Sequence, residues 1–175
     1  MALAMISVLS AALIGLVAWR EWWLRGFTFI VPVLIGLQSR RTSAWSVTTA
    51  YFAPASCELP RVYATFTGQP PLCGVLAWLI ATLILATPLT LAWTQNRAAL
   101  AWRMPLALMS AAVPPIGLIG WASPLTAAGM LFPGTAWLGM SVVAIAPGLV
   151  PARPRTALVA VALFSAVSWI TYQQP

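Results

Sequence analysis

The sequence predicts an all-α protein, a polytopic transmembrane helix bundle. Three observations lead to this class: the amino acids that are missing, the apolar share and the spacing of the arginines. Lys, His and Asp do not occur in the 175 residues, and charged side chains make up 6% against 61% hydrophobic ones. A soluble domain usually carries roughly a quarter charged residues. A water-soluble globule of this size could not bury so much apolar surface, so we expect lipid to be the solvent.

Seven apolar runs alternate with polar connections, and each run is a predicted span. The first is uncharged and is followed by a poor signal-peptide cleavage site, so we expect it to stay in the protein. The third is rich in Ser and Thr, and an interfacial or re-entrant segment is the alternative there. The seven predicted spans are residues 2–18, 24–38, 44–57, 71–93, 104–121, 134–150 and 156–172.

Prolines and polar residues mark the breaks within and between these spans. Pro88 lies inside the fourth span, where neighbouring groups can satisfy the freed carbonyl. Pro114 and Pro115 lie in the middle of the fifth span and are expected to kink or break it. We expect residues 58–70 to form a loop and residues 94–103 to form a polar hinge.

The arginines predict the orientation of the bundle. With the N-terminus in the cytoplasm, the cytoplasmic connections carry six arginines, whereas the outer connections carry three arginines and both glutamates. Basic residues are enriched on the cytoplasmic side of membrane proteins, so the pattern predicts a bundle with its N-terminus inside and its C-terminus outside. The residues expected to set this topology are Arg40, Arg41, Arg97, Arg103, Arg153 and Arg155.

The missing amino acids exclude several kinds of chemistry. Without His, Asp or Lys the chain has no Ser–His–Asp triad, no ordinary zinc site and no Walker lysine. We therefore expect no catalytic residue, no cofactor and no metal. The arginines lie singly or in pairs between apolar runs, so we expect no direct nucleic-acid binding. No ionisable residue lies deep in a predicted span, which argues against a proton-coupled transporter.

Two outer connections and the adjoining end of the fifth span hold the residues that we single out as a candidate groove or partner-binding loop. Their aromatic, hydroxyl and charged side chains could lie against a lipid or a partner protein, and a structured turn is the alternative. The candidate residues are Glu58, Arg61, Trp121, Ser123 and Thr126.

Both cysteines, Cys57 and Cys73, fall at the outer end of the predicted bundle. If that side is periplasmic, the two thiols could form a disulfide, and two unpaired interfacial residues are the alternative. A nucleophile and base formed by Cys57 and Glu58 is disfavoured, because the neighbouring negative charge opposes formation of the thiolate.

Two segments carry a resemblance to a known family: residues 120–139 (GWASPLTAAGMLFPGTAWLG) and residues 51–56 (YFAPAS). They resemble the membrane half of the TraB-type conjugal transfer proteins of rhizobial and agrobacterial plasmids, whose layout is similar to that of apolipoprotein N-acyltransferase. The resemblance implies a helix bundle followed by a periplasmic carbon–nitrogen hydrolase domain with a Glu-Lys-Cys triad. This chain has no Lys, so that triad cannot be present and we expect the hydrolase domain to be absent.

The resemblance implies a multi-pass component of the bacterial inner (cytoplasmic) membrane that takes part in plasmid conjugation. Its expected role is to anchor, or to give substrate access to, a periplasmic hydrolase-like domain or another conjugation protein. The chain would be the membrane part of a longer or split protein, or a truncated relative, and not an enzyme on its own. The alternatives are a small channel or transporter, a helical scaffold subunit and, least favoured, an acyltransferase in its own right.

Overall fold

The computed structural model describes residues 2–114, 116–118 and 122–173, and within these ranges the chain is helical with no strand. This confirms the all-α class. The α-helices are α1 Ala2–Val17, α2 Ile30–Gly36, α3 Arg41–Ala55, α4 Leu59–Thr67, α5 Pro71–Ala92, α6 Arg97–Ser110, α7 Ala127–Leu131, α8 Trp137–Leu149 and α9 Pro154–Tyr172. Short 3-10 helices cover Trp22–Phe29, Ile116–Leu118 and Pro124–Thr126.

Helix α3 lies at the centre of the first half of the bundle and packs against α1, α2 and α5. Its side chains Val47, Tyr51 and Phe52 are almost completely buried. Helix α1 approaches it closely at Gly15, where an added Cβ would collide with the carbonyl oxygen of Tyr51 and lie 3.0 Å from Cγ of Pro54. The third apolar run is therefore a continuous core helix in this fold.

Helix α6 organises the second half, packing against α5 and α8. Leu100, Met104 and Leu108 recur at the four-residue spacing of one helix face and are fully buried. Helix α8 comes close at Gly148, where an added Cβ would lie 3.0 Å from Cα of Ala101. Small residues at such crossings let two helix backbones approach each other.

The outside of the bundle is apolar. Leu9 on α1, Ile80 on α5 and Leu163 on α9 expose 64%, 58% and 63% of their surface, and many other large apolar side chains are exposed with them. Helix α9 is the extreme case, because Ser168 is its only buried residue. Contiguous apolar surface of this extent marks contact with a membrane or with other proteins.

Most of the helices are shorter than the spans that the sequence predicts. Two helices, α5 and α9, are long and apolar enough to cross a membrane. Three further apolar stretches are shorter, namely Ala2–Val17, Trp22–Gly36 and Trp137–Leu149. The described residues thus contain two helices of spanning length where the sequence predicted seven spans. Apolar runs set the predicted bounds, whereas the helices end earlier, at turns and caps.

Helix α4 corrects the expectation of a loop over residues 58–70. It has Pro60 in its first turn, where a proline costs no hydrogen bond, and it is terminated by Gly68, the residue after the helix, whose φ is 65°. Its backbone packs on α5, since an added Cβ on Gly74 would lie 2.9 Å from Cα of Pro60. Phe66, on the free side of α4, is 85% exposed.

Helix α6 corrects the expected hinge over residues 94–103. The side chain of Asn96 accepts hydrogen bonds from the backbone N–H groups of Ala98 and Ala99, and this cap starts the helix at Arg97. The helix ends at Ser110, before the proline pair, and the remainder of the predicted span lies partly outside the described residues.

Candidate functional site

The arginine-bearing connections meet at one end of the bundle, which we call the arginine end. Nη1 of Arg97 donates a hydrogen bond to the carbonyl oxygen of Gly36 at 2.6 Å. Nη2 of Arg41 lies 3.4 Å from the carbonyl oxygen of Trp93, and Nε1 of Trp93 donates to the carbonyl oxygen of Gln38 at 3.1 Å. The connections after α2 and after α5 are therefore tied together.

The connection after α8 joins the same end. An added Cβ on Gly36 would lie 2.9 Å from Cγ of Pro151, two residues before Arg153. Arg40 is exposed just before α3 and Arg155 in the first turn of α9, so five of the six topology-setting arginines share this end. The sixth, Arg103, lies further along α6, with its guanidinium carbon 5.3 Å from the centroid of the neighbouring indole ring.

A groove of about 620 Å³ lies at the opposite end, and we call it the α7–α8 groove. Its lining is largely apolar and includes two of the candidate residues, Ser123 and Thr126. The residues that line it are Ala112, Gly117, Ser123, Leu125, Thr126, Ala128, Gly129, Phe132, Gly134, Ala136, Trp137 and Met140. The aromatic candidate, Trp121, lies outside the described residues.

The two hydroxyl groups hold the turn that forms the groove wall. The Ser123 hydroxyl accepts a hydrogen bond from the backbone N–H of Leu125 at 3.3 Å. The Thr126 hydroxyl donates to the carbonyl oxygen of Ser123 at 2.8 Å. The groove and the structured turn, which the sequence offered as alternatives, therefore occur at the same place. Ser123 and Thr126 form the turn and also line the groove.

Side chains from the first half of the bundle anchor this wall. The hydroxyl of Tyr51 donates to the carbonyl oxygen of Ala122 at 2.8 Å, in a fully buried position. The hydroxyl of Thr28 lies 3.3 Å from the carbonyl oxygen of Pro124 and donates to that of Arg25 at 2.7 Å. The position of the groove wall is therefore set by the core of the bundle.

Replacing Tyr51 by phenylalanine is expected to lower the free energy of unfolding by about 1–3 kcal/mol, because the buried carbonyl of Ala122 loses its donor. Thermal unfolding in detergent, followed by tryptophan fluorescence, measures the change. The matched control is Tyr172→Phe, since the Tyr172 ring is 62% exposed. Equal stability of the Tyr51→Phe variant and the wild type would show that this anchor does not contribute.

Helix α9 is attached at the same end by three side chains. The hydroxyl of Ser165 donates to the carbonyl oxygen of Leu131 at 2.6 Å, and that of Ser168 to Pro133 at 2.8 Å. Nε1 of Trp169 donates to the carbonyl oxygen of residue 130 at 3.1 Å. These bonds, which we call the α9 clamp, fix the C-terminal helix to the connection that borders the groove.

Glu58 and Arg61 do not join Ser123 and Thr126. Glu58 lines a separate cavity of about 390 Å³, beside Trp19. Arg61 is exposed on α4. The structure therefore divides the candidate residues between two places instead of one groove.

The two cysteines have free thiols in the structure, Cys57 exposed and Cys73 half-buried. Their pairing stays a prediction.

Sequence reasoning missed the large apolar side chains that form the groove, Phe132, Trp137 and Met140. The signal that could have found them is the Pro-Gly pair before α8, because Gly134 has a φ of 75° and Ala136 a φ of 46°. Such values mark a sharp reversal of the chain, and Ala136 rarely adopts them without support from its neighbours. The reversal places α7 and α8 on two sides of one groove.

The groove offers binding surface and no ionisable group among the described residues that line it. The hydroxyls of Ser123 and Thr126 in its wall already form hydrogen bonds with the backbone. The described residues contain no cluster of three or more His, Cys, Asp or Glu side chains that could hold a metal. An apolar ligand or an apolar protein segment fits this lining best.

The fold and the site together define a helical chain with an apolar exterior, an arginine-rich end and an apolar groove at the opposite end. In sequence the chain is similar to two conjugal transfer proteins named TraB. It is 34% identical over 180 aligned positions to the "Probable conjugal transfer protein TraB" of Sinorhizobium fredii (strain NBRC 101917 / NGR234). This alignment covers 95% of this chain and 44% of that protein. It is 36% identical over 149 positions to the "Conjugal transfer protein TraB" of Agrobacterium fabrum (strain C58 / ATCC 33970), covering 78% of this chain and 35% of that protein.

The chain therefore spans less than half the length of these two curated relatives. No family model matches it, and no solved structure matches it significantly.

Proposed function

We propose that this chain is the membrane-integral part of a TraB-type conjugal transfer protein, with seven spans, the N-terminus in the cytoplasm and the C-terminus outside. The observation that carries the proposal is the segregation of charge along the bundle. Five arginines and no glutamate lie at the arginine end, whereas the connections at the opposite end hold three arginines together with Glu21 and Glu58. Basic residues orient membrane proteins with the basic end in the cytoplasm.

The apolar exterior supports the same proposal. The exposed leucine, isoleucine and valine side chains of α1, α5 and α9 would be unfavourable in water and favourable against acyl chains. Trp22 and Trp23 are exposed near the outer end of the bundle, where indole rings favour the membrane interface. A water-soluble chain would instead place charged residues on these faces.

The helix lengths are compatible with seven crossings if neighbouring helices shield the shorter helices from lipid. At 1.5 Å per residue, α5 is about 33 Å long and α9 about 28 Å, close to the hydrocarbon thickness of about 30 Å. The 3-10 helix Trp22–Phe29 followed by α2 covers about 26 Å, because a 3-10 turn rises further per residue. Helices α1, α3, α6 and α8 are shorter, at about 20–24 Å, and each packs one face against neighbouring helices.

We further propose that this bundle serves a domain or partner on the outer side, which includes the hydrolase-like domain implied by the acyltransferase-like layout. The two relatives extend well beyond the matched region. Helix α9 runs toward the groove end and is clamped there, so chain or partner beyond it would lie beside the α7–α8 groove. The chain itself lacks the lysine of the family triad and supplies no catalytic step.

Deletion and complementation test the role in conjugation. Removing the coding sequence from a donor strain is expected to lower the plasmid transfer frequency, and a wild-type copy supplied in trans is expected to restore it. Carbonate extraction of the same cells tests the membrane part, with the protein expected in the extracted pellet. Unchanged transfer would contradict the conjugation role, and release into the carbonate supernatant would contradict membrane integration.

A further inference from the structure

We propose that the groove between α5 and α6 near the arginine end, which we call the α5–α6 groove, binds one anionic phospholipid through Arg103. The inference rests on the proposed membrane orientation, and it adds a ligand site that the orientation alone does not require. The headgroup phosphate would lie against the guanidinium of Arg103, with an acyl chain along the groove toward the middle of the bundle.

The groove has the size and lining of a lipid site. Its volume is about 500 Å³, within the range of about 300–1,000 Å³ that is typical of ligand pockets. Small side chains such as Ala92 and Ala107 keep the two helices from filling the space between them. The residues that line it are Thr87, Pro88, Leu91, Ala92, Trp102, Arg103, Leu106, Ala107, Ser110 and Ile116.

Arg103 is the only charged side chain in this lining. It is half-buried, and its guanidinium lies against the face of the Trp102 ring without a hydrogen bond to the described part of the chain. A guanidinium presents several N–H donors in a planar fork that suits a phosphate group. A single positive charge at the mouth of an apolar groove complements a lipid with an anionic headgroup better than one with a zwitterionic headgroup.

The depth of Arg103 fits a phosphate group. It lies six residues after Arg97, the first residue of α6, or about 9 Å along the helix. If Arg97 lies at the aqueous surface of the cytoplasmic leaflet, Arg103 lies near the boundary between headgroups and acyl chains. Trp102 is 55% exposed beside it, and indole rings are enriched at that boundary.

General attraction of anionic lipids by the whole arginine end is the competing explanation. The two explanations differ in which arginine matters. Arg155 contributes the same charge to the same end but lines none of the described grooves. A specific site therefore predicts that Arg103 matters more than Arg155, and that filling the groove without changing charge abolishes binding.

Native mass spectrometry of the full chain in detergent, mixed with equal amounts of dioleoyl phosphatidylglycerol and dioleoyl phosphatidylcholine, tests the site. The wild type is expected to retain one phosphatidylglycerol. Arg103→Gln is expected to lower that retention about fivefold, the effect of roughly one basic residue near an anionic lipid. Arg103→Lys, which keeps the charge but not the planar fork, is expected to retain more of it than Arg103→Gln does, and Arg155→Gln is expected to retain it fully.

Thr87→Phe provides a test that keeps every charge. Thr87 is an exposed residue of the groove wall, so phenylalanine can occupy the groove without entering the core. Loss of phosphatidylglycerol in this variant supports the site even if Arg103→Gln does not fold.

Three outcomes would overturn the site: equal retention of both lipids by the wild type, equal losses in Arg103→Gln and Arg155→Gln, or full retention in Thr87→Phe. Failure of the proposed function can be told apart from failure of the lipid site. A chain that stays soluble without detergent contradicts membrane integration before any lipid is added.

Discussion

Replacing Gly15 by alanine is expected to lower the midpoint of thermal unfolding by about 3–10 °C. The added methyl group would meet the backbone carbonyl of Tyr51, which cannot move aside as a flexible side chain can, so α1 must shift away from α3. Overpacking of this kind costs about 1–3 kcal/mol, and each kcal/mol shifts the midpoint by about 2–4 °C in chains of this size. Tryptophan fluorescence during heating in detergent measures the midpoint.

Gly129→Ala is the matched control for this variant. Gly129 lies in α7 with no atom near an added Cβ, so alanine there is expected to leave the midpoint unchanged or to raise it slightly through its higher helix propensity. Equal midpoints for Gly15→Ala and Gly129→Ala would contradict the close contact between α1 and α3 as the basis of the first half of the bundle.

Removing the α9 clamp is expected to release α9 while the rest of the bundle stays folded. The variant combines Ser165→Ala, Ser168→Ala and Trp169→Phe, which together remove three hydrogen bonds worth about 1 kcal/mol each. Almost none of α9 is buried, so little other contact holds it. Amide hydrogen exchange is expected to rise at least tenfold in α9 peptides and to stay unchanged in α3.

Thr171→Ala controls for the loss of a hydroxyl group on α9. The Thr171 hydroxyl bonds to carbonyl oxygens of α9 itself, those of Val167 and Ser168, so its removal does not touch the clamp. If exchange in α9 rose as much in Thr171→Ala as in the triple variant, the stability of α9 as a helix, and not the clamp, would set its exchange rate. Unchanged exchange in the triple variant would mean that other contacts hold α9.

The all-α class could be predicted from the sequence because composition alone determines it. A chain without Lys, His or Asp and with 61% hydrophobic residues leaves few alternatives to apolar helices. The first, fourth and seventh apolar runs were also placed well, as α1, α5 and α9 begin and end within two residues of their predicted bounds. Long uninterrupted runs carry the strongest helical signal.

Helix ends were less predictable where charge and local capping gave opposite signals. Glu58 and Arg61 suggested an exposed loop, yet Pro60 and Gly68 are ordinary start and stop signals, and the segment is α4. Asn96 is likewise a favoured N-cap residue, and it starts α6 seven residues before the predicted span. Both corrections follow from backbone hydrogen bonding, which hydropathy does not report.

The α7–α8 groove could not be derived from sequence spacing. Its wall depends on a bond between Tyr51 and Ala122, which are 71 positions apart, and on the left-handed backbone of Gly134. Long-range contacts of this kind leave no periodic signal in one chain. Ser123 and Thr126 line this groove and were singled out in the sequence as turn-forming residues beside apolar ones, and a binding role for them stays a prediction.

The measurement that tests the central proposal most directly is cysteine accessibility in intact cells, in a Cys57→Ser, Cys73→Ser background. Single cysteines replace exposed residues of the connections, Ser39, Gln95 and Ala152 at the arginine end and Gln69 and Gln173 at the other. A thiol reagent that cannot cross the inner membrane is expected to label positions 69 and 173, and to label 39, 95 and 152 only after the membrane is opened. Labelling of position 95 in intact cells, or protection of position 173, would contradict a seven-span bundle with its arginine end in the cytoplasm.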